Sequence, residues 1–230
     1  MNIVRITFFT LLILVSTSCR PKEKSTQPEM AHQESIENPE TPKLTASELQ
    51  QYETAYFASG CFWCVEAIFE SVKGVKEVYS GYSGGTEKNP TYEQVSYGKT
   101  HHAESVEVYY DPKVVSFTQL VQVFFGSHDP TTLNQQGPDR GAQYRSIAFY
   151  KNDEQKKIIT DYMAKLEAEH VYGRPIVTEV KKFDKFYRAE DYHQDYEKLH
   201  PNNSYIQNVS IPRLNRFKKN FKSFLKEDVH

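Results

Sequence analysis

Runs of alternating apolar and polar residues predict strands at 54–59, 75–82, 104–110, 146–150 and 176–182. Apolar residues spaced three and four apart predict helices at 62–72, 117–127, 153–170 and 191–199. Ser116 and Asp153 are expected to act as N-caps, and Gly126 and Gly173 as helix stops. Strands and helices alternate irregularly, and no Gly-x-Gly-x-x-Gly marks a nucleotide site. That pattern predicts one α/β (α+β) domain over residues 51–230, a two-layer sandwich with a mixed sheet.

The first fifty residues read differently. Arg5 precedes an apolar run from Ile6 to Val15, then small residues and Cys19. The apolar part is too short to span a bilayer and has the form of a secretory signal. Ser16-Thr17-Ser18-Cys19 resembles a bacterial lipoprotein cleavage site, with Ser16 where leucine is usual, and the resemblance implies acylation of Cys19. The alternative is a plain signal peptide cut nearby, with Cys19 incidental. Residues 20–50 are rich in Pro, Glu, Ser, Thr, Gln and Lys and nearly free of aliphatics, so they cannot offset their ordering entropy by burial. They are expected to form a disordered tether reaching on the order of 30 Å. On this reading 1–19 is a signal peptide, and the protein is an exported, membrane-anchored lipoprotein of the bacterial cell envelope, facing the periplasm.

The formal net charge of −2 gives no hint of nucleic acid. The candidate chemistry lies in Gly60-Cys61-Phe62-Trp63-Cys64. Cys61 sits where a predicted strand hands over to a helix N-terminus, whose free N–H groups and dipole favour a thiolate. Cys64, three residues on, can close a disulfide with it. Such a pair can also be half a zinc site or a buried couple. Zinc needs four ligands, however, and His101, His102, His128, His193 and His200 show no paired ligand spacing, so no metal or cofactor is expected. A disulfide between adjacent positions closes almost no loop and would stabilise little, which suits a pair that cycles. Tyr82, Tyr92 and Tyr144 stand at turns, where most tyrosines anchor loops and a few point a phenol into a cleft. Glu104 alternates with Val106 and Val108, on the apolar face of its strand. A carboxyl there can stay protonated and serve as an acid, or it can lie at the rim as an ordinary carboxylate.

These residues resemble the A-type peptide methionine sulfoxide reductases. The likeness runs from about residue 54 to 217, through Gly60-Cys61-Phe62-Trp63, Gly81-Tyr82-Ser83-Gly84-Gly85, Asn89-Pro90-Thr91-Tyr92, His102-Ala103-Glu104, His128-Asp129-Pro130-Thr131, Gln143-Tyr144-Arg145-Ser146 and Tyr192-His193-Gln194. It implies a ferredoxin-like core with long loops and reduction of the S epimer of methionine sulfoxide. By resemblance Cys61 is the nucleophile, which becomes a sulfenic acid. Phe62 and Trp63 wall the substrate methyl pocket, Glu104 is the acid, Tyr92 and Tyr144 are phenolic donors, and Asp139 orients the site. The expected partners are oxidised proteins or peptides and a thioredoxin-type reductant, with the chain a monomer.

The chain departs from the family pattern in several places. Cys64 stands where many members have glycine, and no cysteine follows it, so Cys64 is the resolving candidate. His101, Pro138 and Ala142 replace usual Gly, Asn and Thr. The basic run from Pro212 to Leu225 is expected to pack Leu214, Phe217, Phe221 and Phe224 on the domain, the alternative being contact with anionic lipid. Two other classes stay open on sequence alone: a thioredoxin-like dithiol oxidoreductase and a non-catalytic, ligand-binding surface lipoprotein.

Overall fold

A computed structural model describes residues 44–227. The proposed signal sequence, Cys19 and most of the tether lie outside the described residues. The helical turn α1 (Ala46–Leu49) lies upstream of residue 51, is closed by a reciprocal capping box between Thr45 and Glu48 and buries Leu49.

The strands are β1 (Glu53–Ser59), β2 (Val75–Ser83), β3 (Ala103–Tyr110), β6 (Ser146–Tyr150), β7 (Glu179–Lys182) and β8 (Phe186–Arg188), with a small hairpin of β4 (Gln135–Gln136) and β5 (Asp139–Arg140). The helices are α2 (Phe62–Glu70), α3 (Tyr92–Ser96), α4 (Phe117–Gly126), α5 (Asp153–Ala168), α6 (Tyr196–Leu199) and α7 (Ile211–Asn220). The main sheet has the order β7-β6-β1-β3-β2-β8. Only β6 and β7 pair in parallel, so the sheet is mixed as expected. Its inner four strands carry two β-α-β crossovers, through α2 and α4, in the ferredoxin-like order.

Alternation along β1 fixes the two faces. Ala55 and Phe57 join α2 and α4 in the principal core with Val106, Val108, Ile68, Leu120 and Phe124. Tyr56 and Ala58 point the other way, where Phe183 and Phe186 cover them with Ile147 and Phe149. Phe183 stacks on Tyr56 at 3.7 Å between ring centroids. The C-terminal run packs as expected: Phe217 is in the core, and Leu214, Phe221 and Phe224 lie against it. The chain end is then strapped to the end of α2 by Lys73 N–H to the Phe224 carbonyl and Lys226 N–H to the Ser71 carbonyl, at 2.7 and 3.0 Å.

Several local expectations change. Ser116 caps α4 as expected, but the cap of α5 is Asn152, whose side chain accepts from the Gln155 N–H; Asp153 is the first helical residue. Helix α5 stops at His170 rather than Gly173. His170 adopts φ +51°, and the bonds Val171 N–H to Leu166 O and His170 N–H to Glu167 O complete a Schellman turn in which histidine takes glycine's usual place. Gly126 ends α4 for a packing reason, because a Cβ there would collide with the Phe221 ring. The stretch 191–199 is not one helix. Asp195, at φ +54°, separates a single 3₁₀ turn at Asp191–His193 from α6. The run at 176–182 is strand only over β7.

Candidate active site

The site is built at the exit of β1. Gly60 turns the chain at φ +91°, and a Cβ there would lie 2.7 Å from the Gln136 side chain. A residue with a side chain would be strained by both conformation and contact. The turn delivers Cys61 to the N-cap of α2, where its thiol makes no capping bond. The free amide of Phe62 donates instead to Glu104 Oε2 at 3.0 Å. Glu104 reaches it from β3, on the face shared with Val106 and Val108, and is 2% exposed. The rim reading of Glu104 therefore fails. Glu107, on the opposite face, accepts the Tyr56 hydroxyl at 2.7 Å.

Aromatic rings enclose the other side of the helix start. Phe62 is buried and Trp63 is half-buried. The Trp63 ring stacks on Tyr196 at 3.8 Å and 8°, and its Nε1–H donates to His193 Nδ1 at 3.2 Å. A neutral His193 accepting there carries its proton on Nε2. That buried Nε2 has no hydrogen-bond partner among the described residues. Burial holds His193 neutral, pulling it down to about 4. Tyr92 lies 4.3 Å from the His193 ring and 6.4 Å from Phe62. It is set by Glu190, which accepts both the Tyr92 N–H at 2.9 Å and the Tyr82 hydroxyl at 2.8 Å. Tyr82 is thus a buried anchor.

A polar chain runs to the second cysteine. Asp139 Oδ2 accepts the Tyr205 hydroxyl at 2.6 Å, and the Tyr205 hydroxyl oxygen lies 3.8 Å from Cys64 Sγ. Asp139 therefore connects to the second cysteine through Tyr205.

Both cysteines are free thiols, 6% and 2% exposed. Burial pushes the Cys61 thiol well up, and the neighbouring Cys64 and Glu104 push it further. Cys64 is lowered to about 6, first by the hydrogen bond from Cys61 and then, against its own burial, by Arg213, Ser210 and Tyr205. Burial thus opposes the helix-terminus preference for a Cys61 thiolate in the free protein. The Phe62 amide is committed to Glu104, and desolvation outweighs a partial dipole charge. Burial raises Glu104 to about 8, despite the Phe62 hydrogen bond, with Asp139 and Cys64 adding to the rise. At neutral pH its carboxyl keeps a proton. Burial raises Tyr92 to about 12 and Tyr144 higher still, and both feel Glu104 and Cys61, so two neutral phenols share the field of the acid and the thiol.

The structure therefore gathers Cys61, Phe62, Trp63, Cys64, Tyr92, Glu104, Asp139 and Tyr144. Residue pattern alone did not single out Tyr196, Tyr205, Glu190 or Arg213. Tyr192-His193-Gln194 was visible as a motif, but the bond from Trp63 to His193 was not. The one grouping of three potential metal ligands among the described residues is Glu66, Glu70 and Asp195, and Lys198 Nζ ion-pairs with the last two at 2.8 and 2.9 Å.

The chain is similar to known proteins. The family profile described as "Peptide methionine sulfoxide reductase" matches residues 53–225. The chain is 46% identical over 183 residues to peptide methionine sulfoxide reductase MsrA of Polynucleobacter asymbioticus, covering 80% of this chain and 96% of that relative. It is 52% identical over 169 residues to MsrA 1 of Rhodopirellula baltica, covering 74% and 87%. Among solved structures, methionine sulfoxide reductase A of Corynebacterium diphtheriae superposes with a TM-score of 0.59 at 38% identity, over 66% of this chain and 76% of that one. Reduced Mxr1 of Saccharomyces cerevisiae gives 0.61 at 34% identity, over 66% and 87%.

Proposed function

This chain belongs to the peptide methionine sulfoxide reductase family and is an oxidoreductase that reduces methionine sulfoxide; we propose that it does so on the S epimer, with Cys61 as nucleophile, Glu104 as acid and Cys64 as resolving thiol. The observation that carries these roles is the buried Glu104 carboxyl, bonded to the amide of the residue next to Cys61 and raised to about 8 by burial. A rim carboxylate or a structural pair would not bring a buried acid to a thiol. Family membership also sets aside the thioredoxin-like and non-catalytic readings.

A sulfoxide sulfur carries a methyl, an oxygen and the substrate chain. The methyl suits the apolar wall of Phe62 and Trp63. The oxygen suits Glu104, Tyr92 and Tyr144, which are donors at neutral pH. Cys61 gives its thiol proton to the Cys64 sulfur, to which it is hydrogen-bonded, and attacks the substrate sulfur as the thiolate while Glu104 gives its proton to the oxygen. An S–S bond to Cys61 forms; the hydroxyl then passes to the Cys61 sulfur as the substrate S–O bond and the S–S bond break, which releases methionine and leaves Cys61 as a sulfenic acid, the sulfoxide gaining the two electrons that Cys61 loses. Positioned acids contribute about 10²–10⁴-fold, and each donor aimed at a developing charge can contribute a few kcal/mol. Cys64 then displaces the sulfenic oxygen as water, and a thioredoxin-type dithiol reduces the disulfide by exchange.

The test is turnover of separate S and R epimers of a peptide methionine sulfoxide with a dithiol. Inverting the sulfur puts oxygen on the aromatic wall, so the S epimer should react and the R epimer should not; equal rates would overturn the pocket assignment. The proposal extends to the cell. Arg5, the short apolar run and the polar tether support a chain acylated at Cys19, held at the membrane as a monomer facing the periplasm. Blocking lipoprotein signal cleavage should accumulate a larger precursor, and a soluble mature protein without lipid would refute the anchor. No helix among the described residues is long and apolar enough to cross a membrane.

A further inference from the structure

Glu66 is buried, and no step of the reaction uses it. It lies on α2, three residues beyond Trp63, and is 2% exposed. Taking a carboxyl out of water is costly unless hydrogen bonds replace the solvent. Both of its oxygens are engaged. Oε2 accepts the Ser80 hydroxyl from β2 at 2.7 Å, and Oε1 accepts the Asp195 N–H at 2.9 Å. Asp195 stands at φ +54°, a conformation that a residue with a side chain keeps only where its surroundings fix it. Glu66 supplies one such fixed point.

The neighbouring residues are clamped to the same place. Gln194 is buried, accepts the Ser80 N–H at 3.0 Å and donates to the Ser80 and Ala189 carbonyls, each at 3.1 Å. The Ala189 N–H adds a bond to the Ser80 carbonyl at 2.9 Å. Residues 189–195 are thereby docked on one residue of β2 and one of α2. The residues on either side of the clamped pair, Gln194 and Asp195, are the two that hold Trp63. His193 accepts the indole N–H at 3.2 Å, and the Tyr196 ring lies on the indole at 3.8 Å and 8°.

We propose that Glu66 is a positioning residue for substrate binding: through the Asp195 N–H it sets the left-handed turn that brings Tyr196 onto Trp63, and so fixes the wall on which the substrate methyl packs. This rests on the reading of Trp63 as that wall. Trp63 and Glu66, three apart on α2, are neighbours on the helix surface, so one helix carries both the wall and the anchor of the ring stacked on it. Asp195 has a second tie, from its carboxylate to Lys198 Nζ at 2.9 Å, but that ammonium is 59% exposed, where an ion pair contributes little. The bond to the buried carboxyl therefore decides where the turn sits.

The experiment uses Trp63 as its own reporter, because it is the one tryptophan of the chain. The full chain is compared with Glu66→Met and Glu66→Gln. Methionine fills the space and offers the Asp195 N–H only a weak acceptor, whereas glutamine keeps an oxygen for it and an amide that the Ser80 hydroxyl can accept. Glu66→Met should increase the quenching of Trp63 fluorescence by acrylamide. It should also raise about tenfold the concentration of a peptide methionine S-sulfoxide that half-saturates single-turnover methionine release, while changing the saturated rate by less than about threefold. Glu66→Gln should return both readouts to wild type. A merely structural Glu66 would lower the urea midpoint of Glu66→Met and leave quenching and half-saturation unmoved; with Trp63→Leu still binding substrate weakly, that outcome overturns the positioning role alone. Trp63→Leu half-saturating like wild type overturns the wall reading, and this inference with it. If Glu66→Met does not fold, Ser80→Ala decides, because it releases one of the two bonds that hold the carboxyl. A rise in both readouts supports the anchor, and wild-type values refute it.

Discussion

The Phe62 amide and the Glu104 carboxyl are one hydrogen-bonded unit, with N–H to Oε2 at 3.0 Å. The bond aims the carboxyl at the start of α2 while leaving its other oxygen for a proton. Burial keeps that proton on up to about pH 8. A loop residue could match the acidity, but not this fixed relation to Cys61.

Glu104→Gln should therefore slow the first step by about 10²-fold or more. The amide oxygen can still accept from Phe62, so the fold and the pocket remain. Single-turnover release of methionine at neutral pH is the measurement, and a rate within a factor of about three of wild type would deny the acid role. The wild-type rate should also stop rising with pH near 8, where Glu104 loses its proton while Cys61 is still gaining thiolate. The glutamine variant should lack that break and keep rising.

The acid was legible in sequence because a strand has a period of two and Glu104 shares its face with two valines. The cysteines and their aromatic neighbours were legible because they are contiguous. The remainder comes from distant loops that carry no period. Tyr205 precedes the π-helical turn Ile206–Ser210, and Arg213 sits in a basic run that reads as a solvated face. Strand β8 is three residues long, too short to alternate. The burial that opposes ionisation of Cys61 was hidden from the sequence for a different reason. The helix terminus is real, but its first amide is spent on a residue 42 positions away in the chain.

Glu66 links pH to stability. It is 2% exposed, accepts from Ser80 Oγ at 2.7 Å and from the Asp195 N–H at 2.9 Å, and is raised to about 8 by burial and then by Glu70. The native state holds this proton where the unfolded chain has lost it. The resulting stability is full below the ordinary carboxylate range, declines as pH rises, and is gone above about 8. Glu66→Gln, which cannot ionise, should flatten the decline. Urea midpoints at about pH 5 and about pH 9 should differ less in the variant than in wild type; equal slopes would show that Glu66 does not carry the effect.

Gly126→Ala sets propensity against packing. Alanine would favour a helix by about 1 kcal/mol, and Gly126 has ordinary helical geometry at the end of α4. Its new methyl, however, would fall on the Phe221 ring, which is stacked with Phe217 at 4.9 Å and packed on the core. Overpacking of this kind costs about 1–3 kcal/mol, so the net effect should be destabilising. Chemical denaturation reads it directly, and a stabilised variant would mean that the Phe221 ring yields freely.

Cys64 separates two half-reactions that a steady-state assay merges. A sulfenic acid left on Cys61 drifts to higher oxidation states unless a thiol removes its oxygen. Cys64 lies on the same helical turn, so its effective concentration is high. It also has what an attacking thiol needs: it is lowered to about 6 and lies 3.8 Å from the Tyr205 hydroxyl that Asp139 holds. Cys61→Ser should abolish even the first turnover. Cys64→Ser should release about one equivalent of methionine and then stall with a thioredoxin-type reductant, its Cys61 trapped by dimedone. Wild type treated with substrate alone should lose both thiol hydrogens within the one peptide that carries the pair, as read by mass spectrometry. If Cys64→Ser instead cycles with thioredoxin at the wild-type rate, the reductant attacks the sulfenic acid directly and Cys64 is only a buried neighbour.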